Sequence, residues 1–283
     1  MTVLRRVLLV GRTDRADGVG VEIARWLLDR GVSVESSPED RLNLGLGTDV
    51  SDPGAPEGLD LAVSIGGDGT VLRTVAMLNG APVPVLGVNA GLLGYLAEVE
   101  APSAVAALER VAAGEHSIES RLVLEVRVDS SGRRSVHRAL NEASLEKVTA
   151  GHTVRLRTTI GGAPFTTFQA DGLIVATPTG STAYSLSARG PIVSPRLRAL
   201  LVTPLSPHML FDRSLVLGPD ETVEVEVDGP RSVGLAVDGQ HVATLGVGDR
   251  VTCSESDHPA LFVRLQPVRF HQVLKSKFGL ADR

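Results

Sequence analysis

An apolar run from Leu59 to Ile65 ends in Gly66-Gly67-Asp68-Gly69-Thr70, and beyond it Val71, Leu72, Val75 and Leu78 fall on one helical face that closes at Gly80. Strand, glycine turn and helix in that order is the layout of a parallel α/β unit, and no other feature narrows the fold as much. The flanking chain repeats the texture. Val3 to Val10 reads as a strand, Val19 to Arg30 as an amphipathic helix with Val19, Ile23, Trp26 and Leu27 at helical spacing and a stop at Gly31. Val32 to Glu35 and Val83 to Val88 read as further strands, Asn89 to Gly94 as a loop, and Ser103 to Ala113 as a helix with Ser103 placed to cap it. Residues 36 to 58, rich in Gly, Pro, Asp and Ser, read as a long surface loop.

After about residue 118 the pattern turns to alternation. Leu122 to Val128, Val154 to Ile160, Thr222 to Val227, Ser232 to Val237 and Arg250 to Thr252 read as strands, with turns such as Asp129-Ser130-Ser131-Gly132, Gly161-Gly162 and Asp238-Gly239 between them. The expected fold is an N-terminal open α/β, Rossmann-like domain carrying the glycine turn, then a β-rich, sandwich-like second domain. The boundaries fall at 1–118, 119–260 and 261–283, the last a strand-like then helix-like segment (Leu261 to Leu265, His271 to Phe278) expected to pack back on the first domain.

Composition removes several function classes. The 283 residues carry 28 Lys and Arg against 33 Asp and Glu, a net charge of −5 that offers no global basic field for nucleic acid. Six Phe, two Tyr and one Trp supply little for stacking successive bases, so no nucleic-acid partner is expected. The lone Cys253 permits no intramolecular disulfide, and neither it nor the seven His residues form a pairing suited to a metal. No run approaches the length of a membrane-spanning helix, and Met1 to Val10 lacks a small-residue cleavage pattern, so the expectation is a cytoplasmic protein with no membrane partner.

Three segments carry chemistry. The glycines around Asp68 let backbone amides approach an anion, and the helix that opens there, near Thr70, points free amides at the same place. A carboxylate inside an anion-binding turn fits a proton acceptor or a metal contact; the alternative is an Asx turn at Asp68 with Thr70 as helix cap. No Gly-x-x-x-x-Gly-Lys-Ser/Thr run exists, which excludes a P-loop. The second segment runs from Asp171 to Ser187, where an apolar strand enters Thr177-Pro178-Thr179-Gly180-Ser181-Thr182-Ala183-Tyr184. Hydroxyls and amides at a strand end suit a nucleobase or ribose, and Tyr184 can stack on a flat ring; the alternative is a capped turn with Tyr184 in the core. The third is Asn141-Glu142, whose amide and carboxylate suit ribose hydroxyls, against the alternative of a solvated bend.

Taken together these segments resemble the NAD kinase family. The likeness rests on Gly66-Gly67-Asp68-Gly69-Thr70, on Leu86-Gly87-Val88-Asn89 with Gly91 and Leu93-Gly94-Tyr95-Leu96, on Asn141-Glu142, and on Asp171-Gly172 through Ser187 with Gly190-Pro191-Ile192, in the family's order over about residues 60 to 195. The first motif is shared with diacylglycerol-type lipid kinases and 6-phosphofructokinases; the others are more particular. A weaker likeness continues through Pro207-His208 and Asp238-Gly239.

The resemblance implies a kinase that phosphorylates the 2′-hydroxyl of the adenosine ribose of NAD to make NADP, with ATP as donor; some family members accept polyphosphate. Carried over by position, Asp68 is the general base, Gly67 and Gly69 lie near the phosphates, and Tyr95 stands where Phe is usual. Asn141 and Glu142 are the dinucleotide-binding pair, with Asn141 towards the adenosine half. Thr179, Thr182, Ala183, Tyr184 and Ser187 line the pocket, and Asp171 faces the nicotinamide end, often across a subunit interface. A homodimer or homotetramer is implied. Because no Lys stands beside the glycine turn, Mg²⁺ or another divalent cation is expected to arrive with ATP on substrate oxygens. Arg73 could assist a phosphate or be a solvated helix residue. Arg189 departs from the family, which usually has Gly there, and costs roughly 1 kcal/mol if its φ is positive; either the turn is rebuilt, or Arg189 pairs with a phosphate or an acidic neighbour, or it is simply exposed. Two rival readings stand beside the kinase: a lipid kinase, and a dinucleotide sensor without turnover.

Overall fold

Two separate stretches of chain build the first of two units: residues up to Ser120 together with those from Ala260 onward, while Arg121–Pro259 form the second. The computed structural model describes residues 4–12, 18–91, 94–267 and 270–280. In chain order the elements are β1 (Arg6–Gly11), α1 (Val19–Leu28), β2 (Ser33–Glu35), α2 (Pro38–Leu44), β3 (Leu61–Gly66), α3 (Asp68–Leu78), β4 (Pro84–Asn89), β5 (Val99–Glu100), α4 (Ala104–Ala113) and β6 (Ser117–Arg121). There follow β7 (Leu124–Ser130), β8 (Arg133–Ala139), β9 (Glu142–Lys147), β10 (Val154–Ile160), β11 (Ala163–Ala170), β12 (Gly172–Ala176) and α5 (Tyr184–Ser187). The chain closes with β13 (Leu200–Leu205), β14 (Leu215–Leu217), β15 (Val223–Val227), β16 (Val233–Val237), β17 (Gln240–Leu245), β18 (Arg250–Glu255), β19 (Ala260–Arg264) and α6 (Phe270–Lys277).

The first unit holds a sheet in the order β2-β1-β3-β4-β19-β6, with β5 paired to β4. Its central strands are apolar on both faces, as burial between helices demands: Val7, Leu9, Val63 and Leu86 are buried on one face, and Leu8, Val10, Ala62 and Val85 on the other. From α1, Ile23, Ala24 and Leu27 enter this core, and Trp26 lies half-buried at its edge. Strand β2 lies on one side of β1 and β3 on the other, so the winding reverses between β1 and β3. In open α/β sheets ligands bind at the carboxyl ends of strands beside such a reversal, and the glycine turn sits at the carboxyl end of β3.

Residues 36 to 58 are not a loop throughout, because α2 lies inside them. Ser37 Oγ accepts from the Asp40 amide at 3.1 Å and Pro38 occupies the first turn, a start signal legible in Ser37-Pro38-Glu39-Asp40. At seven residues the helix is too short to show a period.

The second unit is a pair of six-stranded antiparallel sheets, β11-β10-β15-β18-β7-β8 and β14-β13-β12-β9-β16-β17. Alternate residues from both meet in one core: Val223, Val225, Val251, Cys253 and Leu156 from the first sheet, Ala143, Leu145, Leu173, Val175 and Leu235 from the second. The outer face of the first sheet carries cross-strand ion pairs such as Arg157–Glu226 and Arg250–Glu226. Strand β12 is buried along its whole length, since Ile174 and Ala176 pack on Val193 and Leu201 on the face away from the main core. Its carboxyl end therefore delivers the Thr- and Ser-rich segment to a defined place.

Candidate active site

In the first unit the turn after β3 closes tightly: a Cβ at Gly66 would lie 2.3 Å from Thr70 Oγ1. Helix α3 begins at Asp68, two residues earlier than the sequence suggested, with Gly67 as N-cap and no side chain capping it. Thr70 is buried inside the helix, which removes it as the cap. Gly67 and Gly69 are exposed, leaving their backbone open to an anion.

Asp68 makes no Asx turn. Its Oδ2 accepts the Tyr95 amide at 2.9 Å and its Oδ1 the Leu96 amide at 3.0 Å. Gly94 stands against the carboxylate, where a Cβ would fall 2.2 Å from Oδ1. The segment that grips Asp68 is itself held by the strand motif before it. Gly87 O accepts the Glu98 amide at 2.9 Å, and a Cβ at Gly87 would lie 2.9 Å from Ala97 Cα. Asn89 Nδ2 donates to Glu100 Oε2 at 2.9 Å and to Gly91 O at 3.2 Å. Leu93 lies outside the described residues. Burial and the neighbouring Asp68 charge both raise the Tyr95 phenol, keeping its hydroxyl protonated. Arg73 is neither solvated nor free: its guanidinium pairs with the fully buried Asp40 and donates to Gly11 O at 3.0 Å.

The second unit brings the other two motifs together. Glu142 pairs with Ala176 across β9 and β12. Thr177 Oγ1 donates to Leu140 O at 2.5 Å and accepts the Gly180 amide at 3.1 Å, while the Thr177 amide donates to Asn141 O at 2.8 Å. Gly180 must be glycine, since a Cβ there would lie 2.2 Å from Asn141 O. Asn141 is half-buried and Glu142 only 8% exposed, so the pair is no solvated bend.

Several hydroxyls of this segment turn inward. Ser181 bridges the Val193 amide and carbonyl, Ser185 meets Thr203 Oγ1 at 3.1 Å, and Thr179 accepts from the buried Arg121 at 3.5 Å. Thr182 and Ala183 are half-buried, and Ser187 and Tyr184 are exposed. Tyr184 is therefore not a core ring. Its hydroxyl donates to Glu146 Oε2 at 2.9 Å; burial first, then Glu146, Glu142 and Asp171, push its ionisation up to about 12. Asp171 is a third exposed and pairs with Lys147 at 2.6 Å.

Two acidic residues that the sequence did not mark as site residues complete this arrangement. Asp238, in the β16–β17 turn, accepts the amides of Leu140 at 2.8 Å, Asn141 at 2.8 Å and Glu142 at 3.1 Å, so one carboxylate sets the backbone of the Asn141-Glu142 pair. Its Asp-Gly hairpin was legible, but the partners across the sheet were not. Glu146 shares the face of Glu142 and Ser144 on β9, and Ser144 Oγ donates to it at 2.8 Å. A period of two from Glu142 is the signal that points to it. Among the described residues no cluster of three His, Cys, Asp or Glu could hold a metal by itself.

A carboxylate clamped at an open helix start in the first unit is a group suited to phosphoryl transfer, and the second unit's sandwich edge, with amide, carboxylate, hydroxyl and aromatic groups, is suited to a nucleotide-like alcohol. Residues 7–116 match the family described as the ATP-NAD kinase N-terminal domain and residues 140–265 that of the C-terminal domain. The NAD kinase of Symbiobacterium thermophilum is 41% identical over 267 residues, 92% of this chain and 93% of that protein. That of Mycobacterium tuberculosis is 37% identical, over 99% of this chain and 97% of that protein. Among solved structures, yeast NADH kinase complexed with NADH aligns at a TM-score of 0.90 and 27% identity, covering 99% of this chain and 89% of that one. An NAD kinase from Archaeoglobus fulgidus in complex with ATP aligns at 0.73 and 25% identity, covering 97% of each chain. The chain belongs to the NAD kinase family, enzymes that phosphorylate NAD to NADP. These likenesses favour neither the lipid-kinase reading nor the sensor.

Proposed function

We propose that this enzyme transfers the terminal phosphoryl group of ATP to the 2′-hydroxyl of the adenosine ribose of NAD, with Asp68 as general base. The new bond joins the ribose oxygen to the γ-phosphorus, the bond from that phosphorus to the β,γ-bridging oxygen breaks, and the hydroxyl proton passes to Asp68 and on to solvent. NADP and ADP result. The observation that carries this reading is the grip on Asp68: two backbone amides hold the two oxygens, leaving a second lone pair on each for a substrate hydroxyl. Phosphoryl transfer demands alignment more than covalent chemistry, so a carboxylate that cannot swing is the useful kind.

The phosphotransfer chemistry falls to the first unit, with the Gly67 and Gly69 backbone at the phosphates and Tyr95 beside the base. Recognition of the dinucleotide falls to the second. Asn141 takes the adenosine half, Glu142 the ribose hydroxyls, Thr179, Thr182, Ala183, Tyr184 and Ser187 line the pocket, and Asp171 faces the nicotinamide end. The donor set fits a divalent cation that enters on the triphosphate, because the turn offers one carboxylate and no cage. Bound Mg²⁺ would neutralise charge on the phosphate oxygens. In the same reading the enzyme is a cytoplasmic homodimer or homotetramer.

The test mixes purified protein with NAD, ATP and Mg²⁺ and reads NADP through an NADP-specific dehydrogenase. Asp68→Asn is expected to lose at least about tenfold in turnover with NAD binding kept, tenfold being the low end for a positioned base. An unchanged rate removes the base role. Bound NAD without any product from wild type returns the sensor reading.

A further inference from the structure

The glycine turn supplies backbone amides but no cation: Gly66 to Thr70 contains neither Lys nor Arg. The nearest basic residue along α3, Arg73, is committed to Asp40 and Gly11 O. A polyanionic donor brought to Asp68 carries more negative charge than one divalent cation offsets, and any further positive charge has to come from elsewhere in the chain.

The C-terminal helix brings one. Lys277, in the last turn of α6, places its Nζ 4.7 Å from the centroid of the Tyr95 ring, and Tyr95 is the residue whose backbone amide holds Asp68 Oδ2. The ammonium thus reaches the segment that grips the base, although more than two hundred residues of sequence separate it from the turn. Lys277 is exposed and, among the described residues, has no carboxylate partner. It is not a counter-ion for a phenolate, because the Tyr95 hydroxyl stays protonated. A cation over a half-buried ring, with the ammonium itself exposed, is held weakly enough to be redirected to a stronger anion. No residue of α6 is fully buried, and the Lys277 side chain stands on its exposed side.

We propose that Lys277 binds the phosphates of the donor nucleotide at Asp68, with the Tyr95 ring as its resting place when no donor is present. The proposal rests on the reading of Asp68 as the base for transfer from ATP. A charge-assisted contact from ammonium to phosphate would be lost in Lys277→Met and kept in Lys277→Arg.

The experiment measures KM for MgATP and for NAD, and ATP affinity by calorimetry, in wild type and both variants, with thermal melting to confirm folding. Lys277→Met is expected to raise the KM and Kd for ATP at least about fivefold, the low end for a charged hydrogen bond, with the KM for NAD unchanged and Lys277→Arg near wild type. Unchanged ATP constants in Lys277→Met overturn the proposal, and so does an equal loss in Lys277→Arg, which would mark a packing role. A second measurement does not depend on a variant folding: wild-type enzyme is acetylated with a lysine reagent with and without MgATP and mapped by mass spectrometry. Protection of Lys277 by MgATP is expected; equal labelling overturns the proposal. Wild type that makes no NADP from ATP sinks the underlying reading instead, a result separate from an active wild type with an indifferent Lys277.

Discussion

Glu142 must be buried to be positioned and ionised to accept from ribose hydroxyls, and the two demands conflict. Among the described residues its Oε2 has no hydrogen-bond partner, while the Tyr184 amide donates to the carboxyl group. Burial first, then the nearby Asp238 charge, push its pKa from 4.5 up to about 7. Between those values the folded protein holds a proton that the unfolded chain releases. The stability it contributes is therefore full below about pH 4.5 and is lost as pH rises through about 7. Glu142→Gln removes that loss, so the variant should gain on wild type by up to about 3 kcal/mol between pH 5 and pH 8 while binding NAD more weakly. Denaturant titrations at the two pH values check it; a stability gap that stays constant rules out the buried proton. The residue types at this position were legible in the sequence, whereas the proton affinity was not, because it depends first on burial in the folded sheets and then on Asp238, which lies far along the chain.

At the scale of elements, the end of α5 shows how a sequence departure becomes a conformational cost. The Arg189 amide donates to Leu186 O at 2.9 Å and the Gly190 amide to Ser185 O at 2.7 Å, which closes the helix in a Schellman motif. Arg189 occupies its left-handed position with φ at 65°, where glycine has no side-chain penalty. Its side chain has no ion-pair partner among the described residues, so nothing there offsets the strain. Arg189→Gly should stabilise the protein by about 1 kcal/mol with turnover unchanged, read as a rise in melting temperature. A lower melting temperature would show that the guanidinium has a structural role. The same helix end explains Gly190, where a Cβ would lie 2.2 Å from Ser185 Oγ. Here the family comparison located the anomaly from sequence alone, and the dihedral angle supplied its meaning. For α2 the reverse happened: its cap was written in Ser37 and Pro38, but a helix of one or two turns carries too little periodicity to stand out.

At the scale of the molecule, the first unit depends on chain that arrives last. Strand β19 lies between β4 and β6, and β4 pairs with it in parallel from Leu261–Pro84 to Phe262–Val85. Arg264, 6% exposed, pairs with Glu98 at 3.1 Å and Glu119 at 2.6 Å, and Glu98 Oε1 also accepts the Leu265 amide at 2.7 Å. Ending the chain at Pro259 would remove one strand from inside the sheet, take a neighbour from both β4 and β6, and leave carboxylates without their buried cation, a loss of several kcal/mol. The truncated protein should lose the cooperative melting of the first unit in calorimetry; melting at the wild-type temperature would show that β19 is dispensable. α6 follows β19, so the same cut removes Lys277 and its contact with Tyr95.

Local patterns determined most of what can be determined locally. Apolar runs, glycine stops and alternation specify strands, helices and their α/β-then-β order, and the four short motifs specify the family, because each is set by neighbours within a few residues. The three-dimensional structure alone decided which groups meet: the Tyr95 and Leu96 amides on Asp68, Asp238 beneath Asn141 and Glu142, Arg73 on Asp40, and Lys277 above Tyr95. Each of those contacts joins residues distant in sequence, and its geometry comes from the packing of whole sheets and helices, which no window of sequence contains.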